Sequence, residues 1–365
     1  MDTLAPISLT LSVPADKTET RIGDPGEDTN DMVDWDRLTI IVAYKEKAQG
    51  DEIHDAAPQK MVYYDTYTKE EFDRKTLVTH ATSTLSGPDA NGFRTYTMYL
   101  PLGTCCVYGV TYSNGQGLKL EEMLDDITKD GQDHNSDIYN LQISNDYAKP
   151  SGGTTDVAKF ISVATGYALK LDPETQILTN DRDIKVEQNI NANINTKQYW
   201  RMVLGRLAAK IDIQWDAKGA YEKGEDGKQK FINVKVQGFT YHGEPEETTK
   251  SDAGYGRLFP TLYAVSAETP KTSVGGQKTF INTSEISKRN GRVYHYTFPD
   301  GTAKPRITFD IKTKKDGATE EKSDKVTFDF KNRTESFNPA QWYKINVTIK
   351  GAKIGNASNI IIDKF

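Results

Sequence analysis

The chain has 365 residues, with 46 Lys and Arg against 52 Asp and Glu for a net charge of −6. Both signs are scattered, which excludes the basic footprint of a nucleic-acid binder. A mean hydropathy of −0.65 leaves no apolar run of about 18 residues able to span a bilayer as a helix. At about 100 to 200 residues per domain, the length implies two domains. The 19 Tyr, 13 Phe and 28 Gly against five His and two Cys favour β structure and offer little material for metal or thiol chemistry.

In chain order, the opening Met1-Asp2-Thr3-Leu4 fits a cytosolic protein or a mature secreted one with an initiator Met. Residues Pro6 to Pro14 then alternate, with Ile7, Leu9, Leu11 and Val13 on one face and Ser8, Thr10 and Ser12 on the other. That pattern is a half-buried strand. Residues Ala15 to Asn30 are polar and rich in turn formers, and they carry the Arg21-Ile22 bond in a setting that proteases cut. The first strand is therefore either an ordinary one or one built to be removed and replaced by a strand from another chain.

Further strand signals follow at Arg37–Tyr44, Phe93–Leu100, Cys105–Tyr112, Phe231–Tyr241, Arg292–Phe298, Arg306–Lys312, Lys325–Phe330 and Trp342–Lys350, separated by Gly, Pro and Asp clusters. Short, aromatic or β-branched and alternating, they predict antiparallel β-sandwiches. One helix is expected at Leu118–Lys129, where Leu120, Met123, Leu124 and Ile127 form a stripe. The polar tract Asp172–Lys197 places a domain boundary near Asn195, giving domains 1–195 and 196–365. The segment Tyr199–Trp215 has a middle that is helix-prone by composition but reads as strand, because Gly205 interrupts a helix there and Ile211, Ile213 and Trp215 alternate.

Chemistry is sparse. Cys105 and Cys106 are adjacent and point to opposite faces of a strand, as two buried or half-buried thiols, because a vicinal disulfide is strained. His54, His80, His134, His242 and His295 stand far apart with no metal-ligand spacing and read as ordinary surface or sheet residues. There is no GxSxG elbow. Residues Asp126–Asp137 resemble a calcium loop but lack Glu at position 12, so a solvated acidic loop is the plainer reading. The sequons at Asn282, Asn332, Asn346 and Asn356 matter only in a eukaryotic secretory setting. No catalytic, metal-binding or cofactor-binding residue is assigned, no cofactor is expected, and the protein is read as not an enzyme.

The order of several motifs resembles the fimbrillins of type V pili, the pilin-like lipoproteins of Bacteroidales-type bacteria. They are the first strand followed by Thr20-Arg21-Ile22-Gly-Asp-Pro-Gly-Glu27, the block Leu38–Tyr44, and Leu100-Pro-Leu-Gly-Thr-Cys-Cys-Val-Tyr-Gly-Val-Thr111. Leu204-Gly-Arg-Leu-Ala-Ala-Lys-Ile-Asp-Ile213 and Trp342-Tyr-Lys-Ile-Asn-Val-Thr-Ile-Lys-Gly351 complete the set. The resemblance implies an all-β chain of two tandem transthyretin-like, Greek-key sandwich domains with one short helix. It also implies export as a lipoprotein to the cell surface, an outer-membrane lipid anchor on the precursor, and cutting by an arginine-specific protease at Arg21-Ile22. The first strand (4–14) with its cleavable loop (15–30) is then lost, and other pilus subunits join head to tail by filling the vacant groove.

The C-terminus departs from that pattern. Its one candidate strand, Asn359–Phe365 with Ile360, Ile361 and Ile362, is short for a donor and points to a tip or accessory subunit. The alternative from another class is a surface lipoprotein that binds carbohydrate or another ligand through its sandwich loops.

Overall fold

The computed structural model describes residues 4–13, 34–45, 59–114, 120–129, 141–144, 159, 161–187, 200–242, 255–258, 290–297, 306–329, 340–356 and 358–364. The chain is mostly β and divides into two compact units. The first is Met1–Gln142, Tyr147–Leu207 and Leu258–Ala264, and the second is Ile143–Asp146, Ala208–Arg257 and Val265–Phe365.

The first stretch of chain forms β1 (Leu4–Ser12), β2 (Arg37–Lys45), β3 (Gln59–Thr68), helix α1 (Lys69–Asp73), β4 (Val78–Thr79), β5 (Ser83–Leu85), β6 (Arg94–Pro101) and β7 (Gly103–Tyr112). Helix α2 (Leu120–Lys129), β8 (Gln142–Ser144), β9 (Ala164–Lys170), β10 (Ile184–Val186), β11 (Trp200–Val203) and β12 (Gly205–Arg206) follow. Most of these strands lie in one sheet of order β3-β2-β7-β9-β11-β1-β6-β5-β4, with β10 on β7 and β12 on β9. Strand β9 is the corner: residues 164–167 pair with β7, whereas 168–170 pair with β11. Gly109 and Gly166 face each other there. A Cβ on Gly166 would stand 2.6 Å from the Val203 carbonyl oxygen, so only glycine lets β11 come this close. Leu38, Ile40, Val42 and Tyr67 from one end of the path share a core with Ile7, Leu9, Leu11, Tyr96 and Met98 from the other, so the sheet winds around its own apolar face.

The later chain forms β13 (Ala209–Lys218), β14 (Ala220–Lys223), β15 (Gln229–His242), β16 (Tyr255–Arg257), β17 (Asn290–Thr297), β18 (Arg306–Lys315), β19 (Lys322–Asp329), β20 (Gln341–Lys350), β21 (Lys353–Ile354) and β22 (Asn359–Lys364). One sheet has the order β17-β13-β20-β21, with β22 on β20, and the other is β14-β15-β18-β19; β16 pairs with β8. Their facing sides, among them Ile211, Ile213, Trp215, Val236, Phe309 and Ile345, make one core. Trp215 fits because its register partner is Gly291, where a Cβ would meet the indole at 2.3 Å. On the other face of β13, the fully buried Asp212 accepts two hydrogen bonds from Arg292, at 2.8 and 2.6 Å.

The all-β expectation holds, and within the described residues each of the eight strand signals overlaps a strand. The anticipated helix is α2, with Leu120 and Leu124 buried. A second helix, α1, was not anticipated. Tyr199–Trp215 is not one strand, because the chain breaks at Leu204 and again at Leu207-Ala208 to pass between units. Residues 200–207 consequently lie with the first unit, although the polar tract marks Asn195 as the expected boundary. Pairing is not wholly antiparallel either: β1 with β11 and β13 with β20 run parallel.

Candidate functional site

The site with the most distinctive construction is the place of β1. Its side chains alternate out and in from Leu4 onward, with Ala5, Ile7, Leu9 and Leu11 buried in the core and Val13 packed against it. On one side β1 runs antiparallel to β6, from Leu4 opposite Pro101 to Leu11 opposite Arg94. On the other side Thr10, Leu11 and Ser12 run parallel to Arg201, Met202 and Val203 of β11. The Leu204 amide extends that pairing by donating to the Ser12 carbonyl at 2.9 Å. On the outer face the hydroxyls of Ser8 and Thr97 are hydrogen-bonded at 2.7 Å.

Strand β1 begins two residues before Pro6, which the sequence marks as a limit. Proline has no N–H to give, but the amide of Tyr99 opposite it turns away to the Thr82 carbonyl, so Pro6 occupies a non-hydrogen-bonded position of the β1–β6 pair and no ladder bond to β6 is lost. Burying each large apolar side chain contributes about 1.5–3 kcal/mol. Ile7, Leu9 and Leu11 together therefore account for a large share of a typical domain stability of about 5–15 kcal/mol. Without β1, strands β6 and β11 would stand roughly 9–10 Å apart, two strand spacings, with unpaired backbone edges and an open apolar floor. Such a slot takes one strand whose apolar residues repeat every second position.

Of the other residues singled out in the sequence, Arg21 and Ile22 lie outside the described residues, as do His54 and His134. The side chains of His242 on β15 and His295 on β17 are likewise outside them. Ile360, Ile361 and Ile362 form the middle of β22, antiparallel to β20. Ile360 packs against the core of the second unit, whereas Ile361 and Ile362 are 51% and 49% exposed. Cys105 and Cys106 are both buried free thiols on opposite faces of β7; Cys105 joins the core, and the Cys106 sulfur lies 3.7 Å from Asp183. Burial pushes the Cys105 thiol far above its ordinary range, which makes it a poor nucleophile. The segment Asp126–Asp137 starts inside α2, and its part from residue 130 lies outside the described residues. Among the described residues no three His, Cys, Asp or Glu side chains converge as metal ligands.

One residue carries more than its sequence context suggests. His80, in the turn between β4 and β5, is only partly exposed and stands between two carboxylates, Asp65 and Glu71. The usable signal was Thr68-x-x-Glu71, a capping box that places Glu71 at the start of α1. His80 itself carries no local mark, because Asp65 reaches it only when the sheet winds round.

No family model and no curated protein sequence matches the chain. Among solved structures it is similar to a protein provisionally assigned to cell adhesion from Parabacteroides distasonis, at 9% identity and a TM-score of 0.49, over 98% of this chain and 96% of that one. It is similar to a fimbrilin of Porphyromonas gingivalis at 10% identity and a TM-score of 0.42, over 99% and 96% of the two chains. The C-terminally truncated tip fimbrial protein Mfa3 of the same organism gives 10% identity and a TM-score of 0.37, over 99% and 100%.

Proposed function

We propose that the protein is a structural or adhesive subunit of a cell-surface pilus, built by strand exchange after proteolysis. In this reading an arginine-specific protease cuts at Arg21-Ile22, β1 leaves, and a strand from another subunit takes its place between β6 and β11. The observation that carries the proposal is the position of β1: buried through Ile7, Leu9 and Leu11, flanked on both sides, and joined to β2 by a segment that contains Arg21. Export as a lipoprotein with an outer-membrane anchor on the precursor completes the reading. A tip or accessory position is part of this reading, since the last described strand, β22, pairs with β20 in its own unit. The fold acts as a socket and performs no catalysis.

The test is digestion of the full chain with an arginine-specific protease, followed by chromatography and electron microscopy. The expected result is a cut after Arg21, loss of the N-terminal peptide, and growth in size. Arg21→Ala should abolish both while changing stability by less than about 0.5 kcal/mol. A cut chain that keeps its peptide and its size would overturn the proposal.

A further inference from the structure

The wound sheet of the first unit has two ends, β3 on one side and β5 with β4 on the other. Side chains join them. The Ser83 hydroxyl on β5 donates to Asp65 on β3 and lies 2.6 Å from the Tyr67 hydroxyl. Thr82 donates to the Tyr63 hydroxyl at 2.6 Å. The His80 ring stacks on Tyr67 with centroids 4.1 Å apart and planes 8° from parallel. Its Nδ1 is 2.8 Å from one Asp65 oxygen, and its Nε2 is 3.4 Å from Glu71 Oε1. The other Glu71 oxygen accepts the Thr68 amide at 2.9 Å and so caps α1. A single imidazole thus ties the β4–β5 turn both to the far end of the sheet and to a helix cap.

We propose that His80 is a protonation-operated clasp that holds this seam closed. A neutral imidazole has one N–H, whereas the two carboxylates call for two donors. Only the imidazolium supplies both, and deprotonation turns a lone pair towards an anionic oxygen. The groups around the ring are Asp65, Tyr63 and Tyr67 from β3, Glu71 from α1, the neutral Ser83 from β5, and Tyr96 from β6 behind Tyr67. The nearby cations are engaged elsewhere: Lys69 pairs with Asp73, and Arg94 lies over Phe72 and donates to the Arg74 carbonyl.

Partial burial lowers the His80 pKa, but the hydrogen bonds and charges of Asp65 and then Glu71 raise it further, and the net shift is upward. The His80 contribution is therefore complete below the ordinary value of 6.5 and is lost as pH rises through the raised folded value. For Glu71, burial raises the pKa, but the Thr68 amide and hydroxyl and then His80 lower it more. Its contribution is present above the ordinary value of 4.5 and is lost as pH falls through the lowered folded value. The clasp is tightest between these ordinary values and loosens above them. Since β5 backs β6, and β6 flanks β1, loosening would soften one wall of the β1 slot. The clasp itself stands whether or not the protein is a pilus subunit.

Two measurements on the full chain test it. In an NMR titration with ring-labelled histidine, read through contacts to the Tyr67 ring, the His80 midpoint should lie above 6.5. The amide of His80, bonded to the Ser83 carbonyl at 2.9 Å, and that of Tyr99, bonded to Thr82 at 3.2 Å, should lose hydrogen-exchange protection between pH 6 and 8 after correction for intrinsic rates. The loss should be about tenfold for each unit by which the closed pKa exceeds the open one. His80→Gln should show the weaker protection at both pH values; should that variant fail to fold, the two wild-type measurements decide alone. A midpoint at or below 6.5, or protection that does not fall, would overturn the proposal.

Discussion

Strands β1 and β13 occupy equivalent places in their units. Each is the first long strand, each has an antiparallel neighbour, β6 or β17, and each runs parallel to a strand near the end of its unit, β11 or β20. Each buries a row of alternating apolar residues, Ile7, Leu9 and Leu11 in one and Ile211, Ile213 and Trp215 in the other. The difference lies in how they are tied in. Strand β13 is linked through Leu207-Ala208 to β12 and through Gly219 to β14, whereas β1 connects to β2 only through residues 13–36. In the function proposed above, this difference is what separates an exchangeable strand from a merely buried one: a single cut in the polar segment that contains Arg21 would release β1, whereas β13 is held at both ends.

The largest expected effect tests the equivalence itself. Leu9→Ala and Ile213→Ala each remove a fully buried side chain and should each cost about 2–5 kcal/mol. Because two units need not unfold together, each should be followed by its own tryptophans, Trp35 and Trp200 for the first and Trp215 and Trp342 for the second. A Leu9→Ala cost below about 0.5 kcal/mol would break the comparison, since β1 would then lie on the unit without being part of it.

A smaller effect sharpens it. On the outer face of β1, Ser8→Ala removes one partner of the Ser8–Thr97 hydrogen bond and should cost about 0.5–1.5 kcal/mol. A double-mutant cycle with Thr97→Ala should recover most of that as coupling. Additive single losses would mean that β1 is held by its apolar face alone.

Much of this construction was legible beforehand. The alternation of Ile7, Leu9 and Leu11 marks both the strand and its inward face, and the strand signals from Arg37 to Lys350 mark β2, β6, β7, β15, β17, β18, β19 and β20. What escaped depends on partners distant in sequence. Strand β3 was unmarked because its inward Tyr67 and polar Asp65 stand on the same face, one in the core and one at the seam, so its pattern is not a clean alternation of apolar and polar. The break within Tyr199–Trp215 escaped because residues on both sides of it are strand-forming, and only their partners, β9 and β20, show that the chain changes unit. Likewise nothing local to His80 foretells Asp65, because the two meet only when the ends of the wound sheet come together.

The smallest predicted effect concerns β22, which by composition looks as apolar as β1. Its three consecutive isoleucines cannot all face inward on a strand, because successive side chains point to opposite faces. Ile360 takes the inward position against the core, and Ile361 is left pointing out with 51% of its surface exposed. Ile362 returns to the inward side yet stays 49% exposed, so it is also poorly covered. Among the described residues β22 pairs only with β20, and so it lacks the second flank that closes over β1. Ile361→Ala should therefore change the stability of the second unit by less than about 0.5 kcal/mol, with denaturant unfolding read through Trp215 and Trp342. A loss approaching that of Leu9→Ala would mean that the outer face of β22 is covered in solution, and the contrast between a buried first strand and an open last one would fail.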